Sequence, residues 1–129
     1  MFDNLEIFRL SGAMAAHAGA RQAVVARNMA NADTPGYGAQ DLPSFQSLVA
    51  SRSGGFGLRA TRPGHLGAGA GTVEIAPRTL PELAAEPNGN TVSLESEMLR
   101  GVDVRRQHNR ALAIYGFARD LLRLSVAQR

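Results

Sequence analysis

Three histidines, two nearby glutamates and a run of alternating glycines are the groups in this 129-residue chain whose types could do chemistry. His17, His65 and His108 would have to supply a metal site or an acid–base catalyst. Their spacing matches no ligand pattern such as His-Glu-x-x-His on one helix face, and a lone histidine more commonly serves packing than ligation. His17 and His108 therefore read as helix-surface or interface residues. Glu95 and Glu97 stand two apart, which on a helix turns them to different faces and leaves no carboxylate pair for general acid–base work. Gly67, Gly69 and Gly71 superficially suggest a phosphate-cradling loop, but they follow Pro63-Gly64 rather than a strand and open no helix. The chain has no cysteine, and all 14 of its basic residues are arginines, so it has no lysine either. Thiolate zinc, disulfides, a cysteine nucleophile, a Schiff base and the lysine of a phosphate loop are thereby excluded. The expectation is not an enzyme: no catalytic residues, no metal, no cofactor and no small-molecule substrate.

The charge is equally uninformative as chemistry but has a location. The net charge is +3, and residues 91–129 carry all of it, with seven arginines against Glu95, Glu97, Asp103 and Asp120. Arg105, Arg106 and Arg110 make a basic helical nucleic-acid-binding module the weaker alternative. There is no basic tail, no interleaving of arginine with aromatics and no zinc-finger or RNA-recognition signature, so no nucleic-acid partner is expected. No run approaches the ~18 apolar residues of a membrane span. Met1–Glu6 lacks the positive and apolar regions of a cleaved secretory signal.

The elements that would position these groups are clearer. Asp3 with Glu6 resembles a capping box, and from there Ile7, Leu10, Met14, Ala18, Val25 and Met29 fall on one side of a helix of about 28 residues at ~100° per residue. Asn28 to Tyr37 then forces a stop. Pro35 fixes its own φ and pushes Thr34 out of the α region. Pro35-Gly36 fits the centre of a type II turn, whose second residue needs φ > 0. Asn31 and Asp33 suit a frayed helix end because they can bond nearby backbone. Asp41 to Val49 fits either a short helix or an extended segment packing back on the long helices. Residues 51–90 read as a long loop rich in glycine and proline, with only short apolar pieces such as Thr72–Ile75 and room for a small hairpin. Asn88-Gly89-Asn90 is a turn signal, Ser93 a fair N-cap, and Glu95 and Glu97 favour the positive end of a helix running from Leu94 to about Ala127.

In the second half of that helix, residues from Ala111 to Val126 spread apolar side chains over roughly 200°. One partner helix covers about half such an arc. A hairpin of two helices has one seam, so the remaining apolar face predicts burial between subunits. The expected fold is mainly α, with two long terminal helices in a coiled-coil-like hairpin joined by a long irregular middle segment with little regular structure. Its parts are an N-terminal helix (1–34), a turn and loop segment (35–90) and a C-terminal helix (91–129). The expected assembly interface is Leu10, Met14, Val25, Met29, Leu94, Met98, Leu112, Ile114, Tyr115, Leu121 and Leu122. Arg106/Arg110 and Arg119/Arg123 are like-charge pairs at i,i+4, either solvated or relieved by acids on a neighbouring chain.

The stretch Ala30-Asn31-Ala32-Asp33-Thr34-Pro35-Gly36-Tyr37, closing a long N-terminal helix, resembles the signature of the bacterial flagellar rod and hook axial proteins. The Asp33-to-Tyr37 form, the short length, and Gly89-Asn90-Thr91-Val92-Ser93-Leu94-Glu95 leading into one helix are similar to the proximal-rod branch of that family. Thr61–Leu66 looks like its mid-chain loop. Gly38-Ala39-Gln40 departs from it, since a basic residue often follows the tyrosine. The resemblance implies a structural subunit of the basal-body rod that transmits torque for motility. It also implies periplasmic placement after type III export without a cleaved signal, and a motif, Asn31, Asp33, Thr34, Pro35, Gly36 and Tyr37, that serves as a junction. Implied partners are other copies of the chain, the neighbouring rod protein FlgC, FliE, and the export gate or MS-ring base. FlgC itself is the nearest alternative within the family.

Overall fold

A computed structural model describes residues 3–53, 76–80 and 85–127. In chain order the elements are α1 (Asp3–Ala30), β1 (Gln40–Asp41), α2 (Phe45–Ser53), β2 (Arg78–Thr79) and α3 (Leu94–Ala127). The expected stretches Thr61–Leu66, Gly67–Gly71 and Thr72–Ile75, with His65, lie outside the described residues, as does the side chain of Asp3.

α1 and α3 are the two long helices, of 28 and 34 residues. Neither contains proline, and α3 starts on Ser93, whose hydroxyl accepts from Ser96 N at 3.4 Å while its carbonyl accepts the first helical bond from Glu97 N at 3.0 Å. That is the N-cap geometry expected of serine. The helices run antiparallel against each other. Asn28 meets Glu97 near one end, Val25 lies across from Gly101, and near the other end the rings of Phe8 and Tyr115 meet edge to face at 5.1 Å.

The seam is spaced in sevens. Ser11, Ala18 and Val25 are buried on α1, and Glu97, Val104, Ala111 and Ala118 on α3. A strict seven-residue recurrence is the coiled-coil rhythm, in which 3.5 residues per turn keeps one row facing the partner. Ile7, Leu10 and Met29, expected on the same side of α1 as Ala18 and Val25, are exposed instead. They follow the broad 3.6-residue pattern, whereas the seam follows the narrower heptad row.

The seam is thin. Its apolar cluster is Ala18, Val25 and Val104. Three of the five largest fully buried side chains are polar: Glu97, Asn28 and Asn90. Burying a methyl contributes only about 0.8 kcal/mol, so alanines in the row bring the helices close without supplying much driving force.

Between the helices, regular structure among the described residues is limited to α2 and the two-residue strands. β1 and β2 pair antiparallel, Gln40 with Thr79 and Asp41 with Arg78. Asp41 to Val49, open between helix and extended segment from sequence, resolves into both: Asp41 is in β1, and Ser44 then caps α2 by accepting from Ser47 N at 3.2 Å. Gly38 explains itself by contact, since a Cβ there would lie 2.8 Å from Thr79 Cγ2. No helix among the described residues is long and apolar enough to cross a membrane.

Candidate assembly site

The helix stop is built as its residues dictate. Asn31 N donates to both Arg27 O and Asn28 O, and Ala32 N to Met29 O, so α1 tightens before it ends. Tyr37 N then donates to Thr34 O at 3.3 Å, closing a turn around Pro35 and Gly36, with Gly36 at φ 71°. That positive φ is what a type II turn needs, and a Cβ there would be strained. Asn31 also bonds locally, its Nδ2 donating to Arg27 O at 2.8 Å. Asp33 is exposed and makes no such bond among the described residues.

What holds α1's end comes from far along the chain. Asn90 is fully buried, and its Nδ2 donates to the carbonyls of Asn31, Ala32 and Thr34 at 3.0, 2.7 and 2.8 Å. These carbonyls at and just beyond the helix end have no intrahelical donor. Asn90 Oδ1 accepts from Val92 N at 2.7 Å and so shapes the entry to α3. Gly36 N donates to Asn88 O, Thr91 N to Tyr37 O, and Ala39 N to Thr91 Oγ1. Residues 86–92 therefore clasp the turn like a short extra strand.

Asn28, also fully buried, binds the other side of the clasp. Its Nδ2 donates to Gln40 O at 2.7 Å and Glu97 Oε2 at 3.1 Å. Its Oδ1 accepts from Gln40 N at 3.1 Å and from Tyr37 Oη at 3.3 Å. One side chain thus saturates all four of its bonding positions and ties α1, the turn, β1 and α3 together. The buried Glu97 is completed by Arg100, which donates to Oε1. Tyr37 accordingly anchors the exiting chain on its own α1.

Two further contacts fasten the segment to α1. Arg21 donates to both oxygens of Asp41 at 2.7 and 2.6 Å. Burial works to raise the Asp41 pKa, but the Arg21 hydrogen bond, the Leu42 N–H and the charges of Arg21 and Arg100 together hold it below the ordinary carboxylate value. The Asp41 hydrogen bond, against the pull of burial, raises Arg21 further. His17 is buried, not at the surface as its isolation suggests. Its Nε2 donates to Pro43 O at 2.9 Å, and its ring lies 5.6 Å from that of Phe45. Sequence reasoning missed this lock because a carbonyl 26 positions away leaves no spacing signal.

The expected interface residues divide. Val25 belongs to the seam within the chain, where it packs with Ala18 and Val104, and is unavailable to a neighbour. Tyr115 is shared, half exposed and in contact with Phe8. Met14 is half-buried. Leu10, Met29, Leu94, Met98, Leu112, Ile114, Leu121 and Leu122 are all exposed. Leu99, Val102, Phe117, Leu124 and Val126, not among the expected residues, are exposed as well. α3 has six residues more than α1, about 9 Å at 1.5 Å per residue. One arginine of each like-charge pair has an acid on its own helix: Arg106 lies 3.6 Å from Asp103 and Arg119 3.3 Å from Asp120.

One open groove of about 410 Å³ lies between the helices, lined by Ala18, Gly19, Gln22, Val104, Arg105 and His108. It holds no carboxylate to pair with His108. Among the described residues no three histidines, cysteines or carboxylates come together as a metal site.

The chain is similar to flagellar proteins. Residues 10–37, the second part of α1 with its clasped turn, match the family described as "Flagella basal body rod protein". Over 122 residues the chain is 34% identical to the flagellar basal body rod protein FlgB of Agrobacterium fabrum, covering 92% of this chain and 91% of that protein.

Proposed function

This chain belongs to the FlgB family of flagellar basal-body rod proteins, a structural component of that rod, and from this premise we propose how it serves there. Membership carries association with its own copies and with other basal-body components. The chain is then a subunit of the proximal rod. Its paired terminal helices pack against those of neighbouring copies, and the assembly transmits torque. FlgC, FliE and the export gate or MS-ring base are the proposed neighbours. Periplasmic placement by type III export without a cleaved signal, and the lack of any catalytic role, belong to the same reading.

One observation supports it above the others. α3 leaves Leu112, Phe117, Leu121, Leu124 and Val126 exposed along one helix, and large apolar side chains left in water are what an interaction surface covers. Covering it with neighbouring helices supplies the driving force that the thin seam lacks.

The test is Leu121→Asp in the full chain. A charge entering an apolar interface without a partner opposes assembly strongly, while the same residue on the exposed helix of a monomer changes little. Loss of motility and of rods in isolated basal bodies, with unchanged helicity of the purified chain, is expected. Normal swimming by this variant would remove the proposal.

A further inference from the structure

Asn88-Gly89 is the only Asn-Gly pair in the chain; each other asparagine precedes a residue with a side chain. The pair matters chemically because the amide nitrogen that follows an asparagine can attack that asparagine's own side-chain carbon. Asparagine is thermolabile in this way, and glycine in the second place brings no Cβ to hinder the approach. Asn88 and Gly89 are both exposed, so water reaches them.

The clasp holds this pair in a geometry that cannot react. Gly89 N donates to Glu86 O at 2.8 Å across Pro87 and Asn88. Neither Pro87 nor Asn88 has a positive φ and neither follows a cis peptide, so the turn is type I, with Asn88 third and its ψ about 0°. The peptide that would react is pinned at both edges, its N–H by Glu86 O and its C=O by Gly36 N at 3.1 Å. The side chain is pinned as well, since Asn88 Oδ1 accepts from Asn90 N at 2.9 Å. Closing a five-membered ring from Gly89 N to Asn88 Cγ requires the Asn88 Cα–C bond to turn until that nitrogen eclipses Cβ. The rotation breaks both peptide hydrogen bonds. One of them, from Gly36 N, is among the bonds that fasten residues 86–92 to the helix stop, and Asn90 holds the same segment down through the carbonyls of Asn31, Ala32 and Thr34.

We propose that Asn88 is a deamidation site that the closed clasp keeps in its amide form and that reacts whenever the clasp opens. In the open segment Gly89 N gives its proton to solvent base and bonds to Asn88 Cγ. The Cγ–Nδ2 bond breaks, and Nδ2 takes up a proton and leaves as ammonia. Water then adds to one of the two carbonyls of the cyclic imide and breaks that carbonyl's bond to Gly89 N. Opening at Cγ gives aspartate, and opening at the main-chain carbonyl gives isoaspartate. One water is consumed and one ammonia released, with no change of oxidation state. Aspartate keeps an acceptor for Asn90 N. Isoaspartate inserts a methylene into the main chain between Pro87 and Gly89, so the bonds to Gly36 N and Glu86 O no longer fit together. The clasp then cannot close as before, and the change is one-way. Nothing in this chemistry depends on how copies assemble.

The test incubates the full chain at mildly alkaline pH, in buffer and in guanidinium chloride, and follows the peptide carrying Asn88 by mass spectrometry. Labelling with isoaspartyl methyltransferase separates isoaspartate from aspartate. Deamidation at Asn88 is expected to be about ten-fold or more slower in buffer than in denaturant, because the reaction draws on the open population. Asn90→Ala removes the three bonds to the end of α1 and leaves the Asn88-Gly89 pair untouched. With helices intact by circular dichroism, it is expected to react about three- to ten-fold faster than the natural chain in buffer and equally fast in denaturant. Thr91→Val removes only the bond from Ala39 N and is expected to quicken the reaction about two- to three-fold, which keeps the test open if Asn90→Ala unfolds. Equal rates for the natural chain in buffer and in denaturant would overturn the proposal, as would folded variants that react no faster than the natural chain. Chains carrying isoaspartate, refolded, are expected to unfold at lower denaturant than Asn88→Asp. Equal midpoints for the two would overturn the stated effect on the clasp.

Discussion

The hairpin's two ends solve opposite problems with opposite chemistry. At the turn end, Asn28, Asn90 and Glu97 are buried, and among the described residues no buried side-chain polar atom lacks a partner. At the free end, Leu121, Leu122, Leu124 and Val126 stand in water. Polar bonds are directional and fail if a partner shifts, so they define geometry; apolar contact is non-directional and supplies association. The turn end therefore specifies the shape of the single chain, and the free end is the part that gains from a neighbour. A buried amide opposite a glutamate also fixes the register of the two helices, because any slide would strand both.

If that division holds, substitutions at the turn end act on folding and those at the free end act on assembly. The largest effect is expected from Asn28→Leu. It strands the N–H and C=O of Gln40 and leaves Glu97 buried with Arg100 alone, a loss of about 3–5 kcal/mol. Urea unfolding followed by circular dichroism measures it, and a loss below about 1 kcal/mol would show that Asn28 does not organise this end. Next comes Gly36→Val, which forces a β-branched residue to φ 71° at about 1–3 kcal/mol. Its comparison with Gly36→Ala separates backbone strain from side-chain bulk, and equal stability of Val and Gly at this position would contradict the turn described.

Acid should act on the same end more gently. The Asp41 carboxyl is held below its ordinary value, so its contribution is present above the unfolded pKa of ~3.9 and is lost as pH falls through the folded value. Stability measured against pH should decline in that acid range for the natural chain, and Asp41→Asn should flatten this part of the profile. A profile unchanged by the substitution would mean that the Arg21 pair adds nothing. Phe117→Ser, at the free end, is the smallest effect on folding, within about 0.5 kcal/mol. Sedimentation should nonetheless show weakened assembly. A large folding loss from this exposed residue (65% accessible) would erase the contrast between the ends.

The helices were readable because their causes are local. The proline-free span of α3 and Ser93 placed it at Leu94–Ala127, and Pro35-Gly36 gave both the stop and the positive φ. The width of the apolar arc on α3 was readable too, since periodicity records it directly. The clasp was not. Asn90 looked like one residue of a turn signal, and Asn28 like the first residue of the helix stop, because nothing in a local pattern distinguishes a solvated amide from a buried one.

By itself, then, the sequence determined two long helices, a glycine turn between Thr34 and Tyr37, and more apolar helix surface than a hairpin can cover. Each follows from φ restriction, capping or side-chain period, which act over a few residues. Only the tertiary structure decided that Asn90 closes α1 from 56–59 positions away, that His17 faces a carbonyl instead of solvent, and that Val25 belongs inside the chain. Those depend on which groups lose water when the two helices meet, and a buried polar group must then find its partner wherever the fold has brought one.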